Sequence, residues 1–380
     1  MARFGLVVFQ SAIRNPQSAM AMIQRLLRGR LLYLVFSLLL VALHYYVGTG
    51  VLVPIAPLDL AQVPETDLSP AASAGDHLSW WPEAFDLAAL QRIAVQHPFL
   101  ATFLSILTSC AIGLGLAGFA IAWRALRTGR IRSVWRFTSR RLPSWSFGEA
   151  GRIALLTLLM AGLLPVLYLL VVSRWGAGWL DAHLRLTVSM LFLDAFAILV
   201  ILTFAAGKGL SLGRTFGLSS QNKPVASIAA GLHGYVAVFP WLFVLLVIMV
   251  ELARALGLEP PIEPIQRLIF QEDRALVLGL TALLTCVVGP VAEELFFRGV
   301  VYPAIRQRTS WGIAILVSGA LFGLLHANPV GFPAIFLLGC LLANLYERTG
   351  SLAGPLTVHV LHNTFLMSMA FAFRQLMALT

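Results

Sequence analysis

The chain has 380 residues, of which 59% are hydrophobic and 12% are charged. A soluble domain normally carries about twice this charged fraction, so the composition excludes an ordinary soluble globular protein. The formal net charge of +10 comes mainly from arginines that lie between apolar segments rather than on one soluble face. This distribution argues against nucleic-acid binding and is typical of the topology signals of a membrane protein.

Long apolar segments predict transmembrane helices, because about 20 helical residues are needed to cross the hydrocarbon core of a bilayer. Only helices or closed barrels satisfy their backbone in lipid, and long unbroken segments favour helices. We therefore predict an all-α, polytopic transmembrane helix bundle of about eight or nine spans. The predicted spans are Leu31–Tyr46, Phe99–Trp123, Ile153–Val172, Leu186–Ala206, Ile228–Val250, Leu276–Ala304, Ile313–His326, Phe332–Leu345 and Leu352–Phe373.

The charges between these spans indicate the orientation of the chain. Loop 50–97 is acidic, whereas loop 124–152 and the N-terminal residues before the first span are rich in arginine. Because positively charged segments stay in the cytoplasm, we expect a cytoplasmic N-terminus, an external acidic loop and a cytoplasmic Arg-rich loop, in the cytoplasmic membrane. The first apolar segment lacks a clear cleavage site and is expected to be a retained span. A polar link divides an N-terminal membrane region, 1–206, from a core, 207–380.

Three of the 17 acidic residues lie well inside apolar segments. An ionisable side chain is costly there and indicates a function. They are Asp194, Glu293 and Glu294. Asp194 has no companion motif, so a structural hydrogen bond or an arginine partner is favoured over a catalytic role.

The two adjacent glutamates are expected to differ. If Pro290 begins a helical segment, both carboxylates lie near a positive helix end. Glu294 and Arg298 are four residues apart and can pair, whereas Glu293 points about 100° away on the helix. A desolvated carboxylate without a cation suits a general base, so Glu293 is the candidate. A charge cluster that anchors a helix at the membrane boundary would give the same local pattern.

Two further i, i+4 pairs lie in the last apolar segments. Phe322 and His326 share one helix face, and His359 and Asn363 share another. His362 faces differently from His359 and is interpreted as a spare polar group.

These pairs fit the chemistry of amide hydrolysis. Glu293 and His326 lie almost equally far from a predicted turn at Arg308-Thr309-Ser310, so an antiparallel hairpin brings them to similar depth. A carboxylate and an imidazole can hold a water between them. His359 and Asn363 can donate hydrogen bonds to the oxyanion that forms on a peptide carbonyl.

The motifs Glu293-Glu294-x-x-x-Arg298, Phe322-x-x-x-His326 and His359-x-x-x-Asn363 resemble, in order and approximate spacing, those of the CPBP family of intramembrane proteases. This family includes the type II CAAX prenyl endopeptidases and bacteriocin-immunity relatives. The match covers roughly Leu276 to Phe373. The resemblance implies an all-helical membrane core in which Glu293 and His326 activate water, His359 and Asn363 stabilise the oxyanion, and Glu294, Arg298 and Phe322 support them. It also implies lipid and a membrane-associated or prenylated protein or peptide as partners.

The resemblance leaves a metal cofactor open. Members of the family are often called metalloproteases, and Glu293, His326 and His359 would be the ligands if zinc is present. A carboxylate with two imidazoles is a common zinc ligand set, yet the sequence contains no His-Glu-x-x-His motif.

Three alternative functions stay open on sequence alone. Residues 209–213 match the serine-hydrolase pattern Gly-x-Ser-x-Gly, although they lie in a basic link rather than in the required strand-to-helix turn. A proton-coupled transporter would explain the buried carboxylates but not the two histidine motifs. A catalytically silent immunity or scaffold protein would share the same fold.

Overall fold

The computed structural model describes residues 94–129, 142–175, 181–209, 211–219, 223–258 and 264–379, with the isolated positions 29, 33, 35 and 38. Most of the first predicted span, nearly all of the acidic loop 50–97 and the arginine-rich residues 130–141 lie outside the described residues. The expectations for those segments, and for the orientation of the N-terminus, stay predictions.

The described residues form helices and contain no strand, which confirms the all-α prediction. Each predicted span from Phe99 onwards corresponds to a helix. The helices are α1 Pro98–Arg127, α2 Phe147–Trp175, α3 Ala182–Ala206, α4 Leu212–Thr215, α5 Pro224–Ala255, α6 Pro264–Gln271, α7 Ala275–Arg306, α8 Trp311–Leu325, α9 Phe332–Thr349 and α10 Ala353–Met377.

Within the described residues, 6 helices are long and apolar enough to cross a membrane, namely α1, the Phe147–Tyr168 part of α2, α3, α5, α7 and α10. The predicted spans at 313–326 and 332–345 are helices, but neither belongs to this set. Helix α8 has 15 residues, which gives a length of about 22 Å, and this is short for a full crossing. Six crossing helices with a shorter apolar α8 correspond to a multi-pass membrane protein.

Helix α7 carries both glutamates and is irregular around them. It contains two π-helical turns, Leu284–Val288 and Phe297–Val301, on either side of the α-helical segment Gly289–Phe296. Pro290 does begin an α-helical segment. The predicted free helix end beside the carboxylates is wrong, however, because the preceding π turn bonds the Gly289 N–H to the Leu284 carbonyl and the helix passes Pro290 without a break.

The second half of α7 is the centre of the main hydrophobic core. Val300 and Tyr302 pack there with Ile201 from α3, Ala314 from α8 and Tyr346 from α9. Residues from both sides of position 206 therefore share one core. A second cluster joins α5, α9 and α10.

Two glycines allow α8 and α9 to approach closely. A Cβ on Gly339 would lie 3.0 Å from the Cα of Gly319, and a Cβ on Gly319 would lie 2.6 Å from the Sγ of Cys340. Small residues permit such close backbone contacts between membrane helices. The contact also sets the position of the Gly339 carbonyl, which is used in the site described next.

Candidate active site

The adjacent glutamates on α7 lie in different environments. The side chain of Glu294 is 1% exposed, whereas that of Glu293 is 37% exposed. Oε2 of Glu293 is nevertheless a buried atom, and it has no hydrogen-bond partner among the described residues. Glu293 is therefore the carboxylate that an incoming molecule can reach.

Arg298 bonds to Glu294, the buried member of the pair. Its Nη1 donates to Oε1 of Glu294 over 2.6 Å, and its Nη2 donates to the Gly339 carbonyl over 3.0 Å. The guanidinium lies 4.5 Å from the centre of the Phe322 ring, within the range of a cation–π contact. Arg298 is fully buried, so its charge depends on these partners.

His359 on α10 contacts both glutamates. Its Nδ1 lies 2.9 Å from Oε1 of Glu294, and its Nε2 lies 3.7 Å from Oε2 of Glu293. Because Oε1 of Glu294 already accepts from Arg298, this carboxylate acts as an acceptor and the Nδ1 of His359 as the donor. The Nε2 of His359 therefore faces Glu293, at a distance slightly too long for a direct hydrogen bond.

His326 ends α8, and its ring is fixed by its own helix. Its Nδ1 lies 2.9 Å from the carbonyl oxygen of Phe322. A carbonyl can only accept, so Nδ1 carries the proton and Nε2 of the neutral ring is a free acceptor. The Phe322 ring contacts both histidines, with centroid distances of 4.9 Å to His326 and 5.5 Å to His359. No hydrogen bond joins His326 directly to Glu293 among the described residues.

Asn363 lies one turn after His359 on α10. Its Nδ2 donates to the carbonyl of Thr285 over 2.9 Å. That carbonyl lies in the π turn of α7, where its partner five residues on would be Pro290, which has no N–H. Asn363 therefore satisfies a backbone acceptor that Pro290 leaves open, and the bond fixes the amide beside the site.

Two residues outside the assigned motifs differ from the sequence-based interpretation. His362 is not a spare polar group, because its Nδ1 lies 3.0 Å from the hydroxyl of Tyr235 on α5. Asp194 has neither the hydrogen bond nor the arginine partner expected, within the described residues. Its Oδ2 instead lies beside α7, 3.6 Å from where a Cβ on Gly289 would be. Neither contact follows from a local motif, because each joins residues far apart in the chain.

The serine pattern at 209–213 does not form a nucleophile elbow. A nucleophile elbow requires a strand before the serine, and the described residues before this pattern form the helix α3. Ser211 instead precedes the short helix α4, and its Oγ accepts from Nε of Arg214 over 3.2 Å.

The predicted zinc ligands do not come together as a set. Among the described residues, no group of three or more His, Cys, Asp or Glu side chains is arranged to hold a metal ion. The described residues therefore form no three-ligand zinc site.

Comparison with known proteins shows a family that the segment carrying this cluster resembles. Residues 275–365, which contain all three motifs, match the model of the type II CAAX prenyl endopeptidase Rce1-like family. A segment of the chain is 32% identical over 90 residues to a putative membrane peptidase, YdiL, of Bacillus subtilis, covering 24% of this chain and 37% of that protein. Another is 30% identical over 87 residues to the membrane-embedded CAAX protease MroQ of Staphylococcus aureus, covering 21% of this chain and 35% of that protein.

A third relative has no assigned activity. An uncharacterised 24.3 kDa protein of Escherichia coli is 29% identical over 130 residues, covering 32% of this chain and 59% of that protein. The matches thus span between about a third and three-fifths of the curated relatives. No solved structure matches the chain. The segment formed by α7, α8, α9 and the first half of α10 is therefore similar to the Rce1-like CAAX protease family.

Proposed function

We propose that this chain is an intramembrane endopeptidase, which hydrolyses a peptide bond of a membrane-associated protein with a water activated by Glu293 and His326. The observation that carries the proposal is the position of His359, which bonds to the Arg298-paired Glu294 and faces Glu293, whose Oε2 accepts no hydrogen bond. This arrangement separates a structural carboxylate from a reactive one.

The charges of the cluster favour Glu293 as the base. The carboxylate of Glu294 is neutralised by Arg298 and has accepted two hydrogen bonds at Oε1. Glu293 has no such partner and is the more exposed of the two. A general base must be reachable and must have a free lone pair, and only Glu293 meets both conditions.

The proposed reaction conserves its protons. Glu293 takes one proton from the attacking water, and the other O–H of this water donates to the free Nε2 of His326. The water oxygen bonds to the peptide carbonyl carbon, and an oxyanion forms on the carbonyl oxygen. As the C–N bond breaks, Glu293 returns the proton to the leaving amine nitrogen, so the carboxylate is regenerated.

The oxyanion needs donors, which His359 and Asn363 supply. When its Nε2 carries a proton, His359 is a cation held between two carboxylates, and the charges of Glu293, Glu294, Arg298 and His359 sum to zero. The second N–H of the Asn363 amide is the other donor, since the first is used on Thr285. Donors fixed by the protein in an apolar site stabilise such an oxyanion strongly.

The substrate is proposed from the position of the site and from the relatives. The motif residues lie on helices with the apolar composition of membrane spans, so the scissile bond must reach membrane depth. MroQ carries the name of a CAAX protease. We therefore propose a membrane-associated, and in particular a prenylated, peptide as the substrate class, acted on in the cytoplasmic membrane with the chain's N-terminus in the cytoplasm.

Cleavage by the purified protein in detergent tests this function. A membrane-associated peptide is offered with and without a prenyl group, and the products are identified by mass. We expect cleavage by the wild type and none by Glu293→Gln. Equal cleavage of both peptides would refute the need for prenylation. Intact peptides together with proton-driven uptake in proteoliposomes would refute the protease and support the transporter.

A further inference from the structure

We propose that Asp194 on α3 is a further residue of this site, a positioning carboxyl that donates a hydrogen bond toward Glu293 and holds its carboxylate ready for the water. The inference rests on the proposed role of Glu293 as the base. It concerns a residue outside the three motifs.

The backbone of α7 brings the two carboxyls together. Oδ2 of Asp194 lies against Gly289, where the missing side chain leaves room for it. Glu293 follows Gly289 by four residues, which is one turn later on the same helix face. Side chains on a helix lean toward its N-terminus, so the Glu293 side chain lies over the turn that contains Gly289. The two carboxyls are close enough for their charges to interact.

Both carboxyls lack a hydrogen-bond partner among the described residues. Among the described residues Asp194 makes no hydrogen bond or ion pair, and Oε2 of Glu293 accepts no hydrogen bond, although Nε2 of His359 lies 3.7 Å away. The nearby charges of Glu294, Arg298 and His359 are already bonded to one another. Unpartnered polar groups in an apolar site are costly, so mutual contact, direct or through one water, is the arrangement that satisfies both.

One proton on the pair makes this contact possible. Two neighbouring carboxylates in an apolar environment repel each other, and such pairs retain a shared proton. Glu293 must be ionised to accept a proton from water, so the retained proton belongs on Asp194. A protonated Asp194 is a hydrogen-bond donor, and ionised Glu293 is its acceptor.

A purely structural contact between α3 and α7 looks different. Thr187 and Thr281 join the same two helices by a buried hydrogen bond of 3.0 Å between their hydroxyls. In that pair, each hydroxyl has the other as its hydrogen-bond partner. Asp194 also contacts α7, but no residue of α7 forms a hydrogen bond with it. This difference favours a role in the candidate active site over a role in helix packing.

The test compares two substitutions of Asp194 with a control on the same helix. Asp194→Asn keeps a neutral hydrogen-bond donor, whereas Asp194→Leu removes it at similar volume. Thr187→Val removes a polar contact between the same helices away from the site. We expect Asp194→Leu to lower kcat by about 10- to 100-fold with KM unchanged, and Asp194→Asn to stay within about threefold of the wild type, the size expected for one hydrogen bond to a charged group. Thr187→Val should keep the wild-type kcat.

Equal kcat in Asp194→Leu and the wild type would overturn the proposal. So would an Asp194→Asn variant as slow as Asp194→Leu, because the function would then need an ionised carboxylate instead of a donor.

Infrared spectroscopy provides a readout that does not depend on turnover. The carbonyl band of a protonated carboxyl should be present in the wild type and in Thr187→Val in mildly acidic to neutral buffer, and absent in Asp194→Asn. Identical spectra of the wild type and Asp194→Asn would overturn the proposal even if no substrate is cleaved. An active Glu293→Gln would overturn the proposed role of Glu293 alone, so the two failures are distinguishable.

Discussion

Nδ1 of His359 and Oε1 of Glu294 lie 2.9 Å apart, although the two residues are separated by 65 positions in the chain. The bond turns the other face of the imidazole toward Glu293. An ionised residue that orients a histidine in this way has a geometric rather than a chemical task. The two motif glutamates therefore differ in position, because Glu294 fixes the ring and Glu293 faces its other nitrogen, as the proposed function requires.

Substitution of Glu293 by glutamine should abolish chemistry and leave the fold intact. The amide preserves the shape and removes a charge whose Oε2 accepts no hydrogen bond, so thermal stability should hold or rise. An amide accepts no proton, so the rate should fall by about 100- to 10,000-fold, the usual contribution of a general base. Thermal unfolding and peptide cleavage measured on the same preparation check both parts. Near-normal turnover would disprove the assignment.

Substitution of Glu294 by glutamine should instead damage the fold. The buried Arg298 would lose its ionised partner, and breaking a buried ion pair on one side typically costs about 3–5 kcal/mol. Lower melting temperature and lower yield are the expected results. A double change of Glu294 and Arg298 to leucine should recover part of the loss, because both charges leave together.

Arg298→Leu should not rescue Glu293→Gln. A stable but inactive Glu294→Gln, beside an unstable Glu293→Gln, would show that the roles of the two glutamates are exchanged.

Hydrolysis should proceed without stoichiometric zinc. The base, the oriented His326 and the oxyanion donors can activate water unaided, and the described residues form no three-ligand metal site. Elemental analysis of active protein should find less than one zinc per chain, and chelators should leave the rate unchanged. One zinc per active chain, lost with activity and regained with it, would contradict this prediction.

Part of the site could be predicted from spacing alone. Glu294 and Arg298 are one helical turn apart, and the structure shows their hydrogen bond. The contacts of His359 with both glutamates could not be predicted, because they depend on how α10 packs against α7. Nor could the bond from Asn363 to Thr285, which arises from a π turn that no local pattern announces.

The fold, too, could be predicted from the sequence only in part. Apolar runs predicted where the helices lie, since burial in lipid requires them. They did not distinguish crossing helices from the short α8, because a helix packed inside a bundle is as apolar as one in contact with lipid. The place of Asp194 against Gly289 likewise depends on the packing of α3, more than 90 residues before the first motif residue on α7.

An ionic cluster ties the beginning of α3 to the beginning of α7. The Arg274 guanidinium bonds to both carboxylate oxygens of Asp181, the N-cap of α3, and to both oxygens of Glu272. Nδ1 of His183 also lies 3.1 Å from Oε2 of Glu272. Asp181, Glu272 and Arg274 lie outside the membrane spans, at the ends of the two helices that carry Asp194 and Glu293.

The cluster should make stability depend on pH. Hydrogen bonds from Arg274 lower the pKa of Glu272 from 4.5 to about 2, and they lower the pKa of Asp181 as well. A carboxyl whose pKa is lower in the folded state stabilises the fold above the pKa of the unfolded chain. For Glu272 the contribution should therefore be complete above pH 4.5 and should decline as the pH falls toward about 2.

Arg274→Gln should remove most of this dependence. We expect its melting temperature in detergent to be lower than that of the wild type at neutral pH and to converge with it as the pH falls toward about 2. Arg254→Gln is the matched control, because Arg254 bonds to Glu251 in an exposed pair that should contribute little. Parallel curves for the wild type and Arg274→Gln across this range would show that the cluster does not couple protonation to folding.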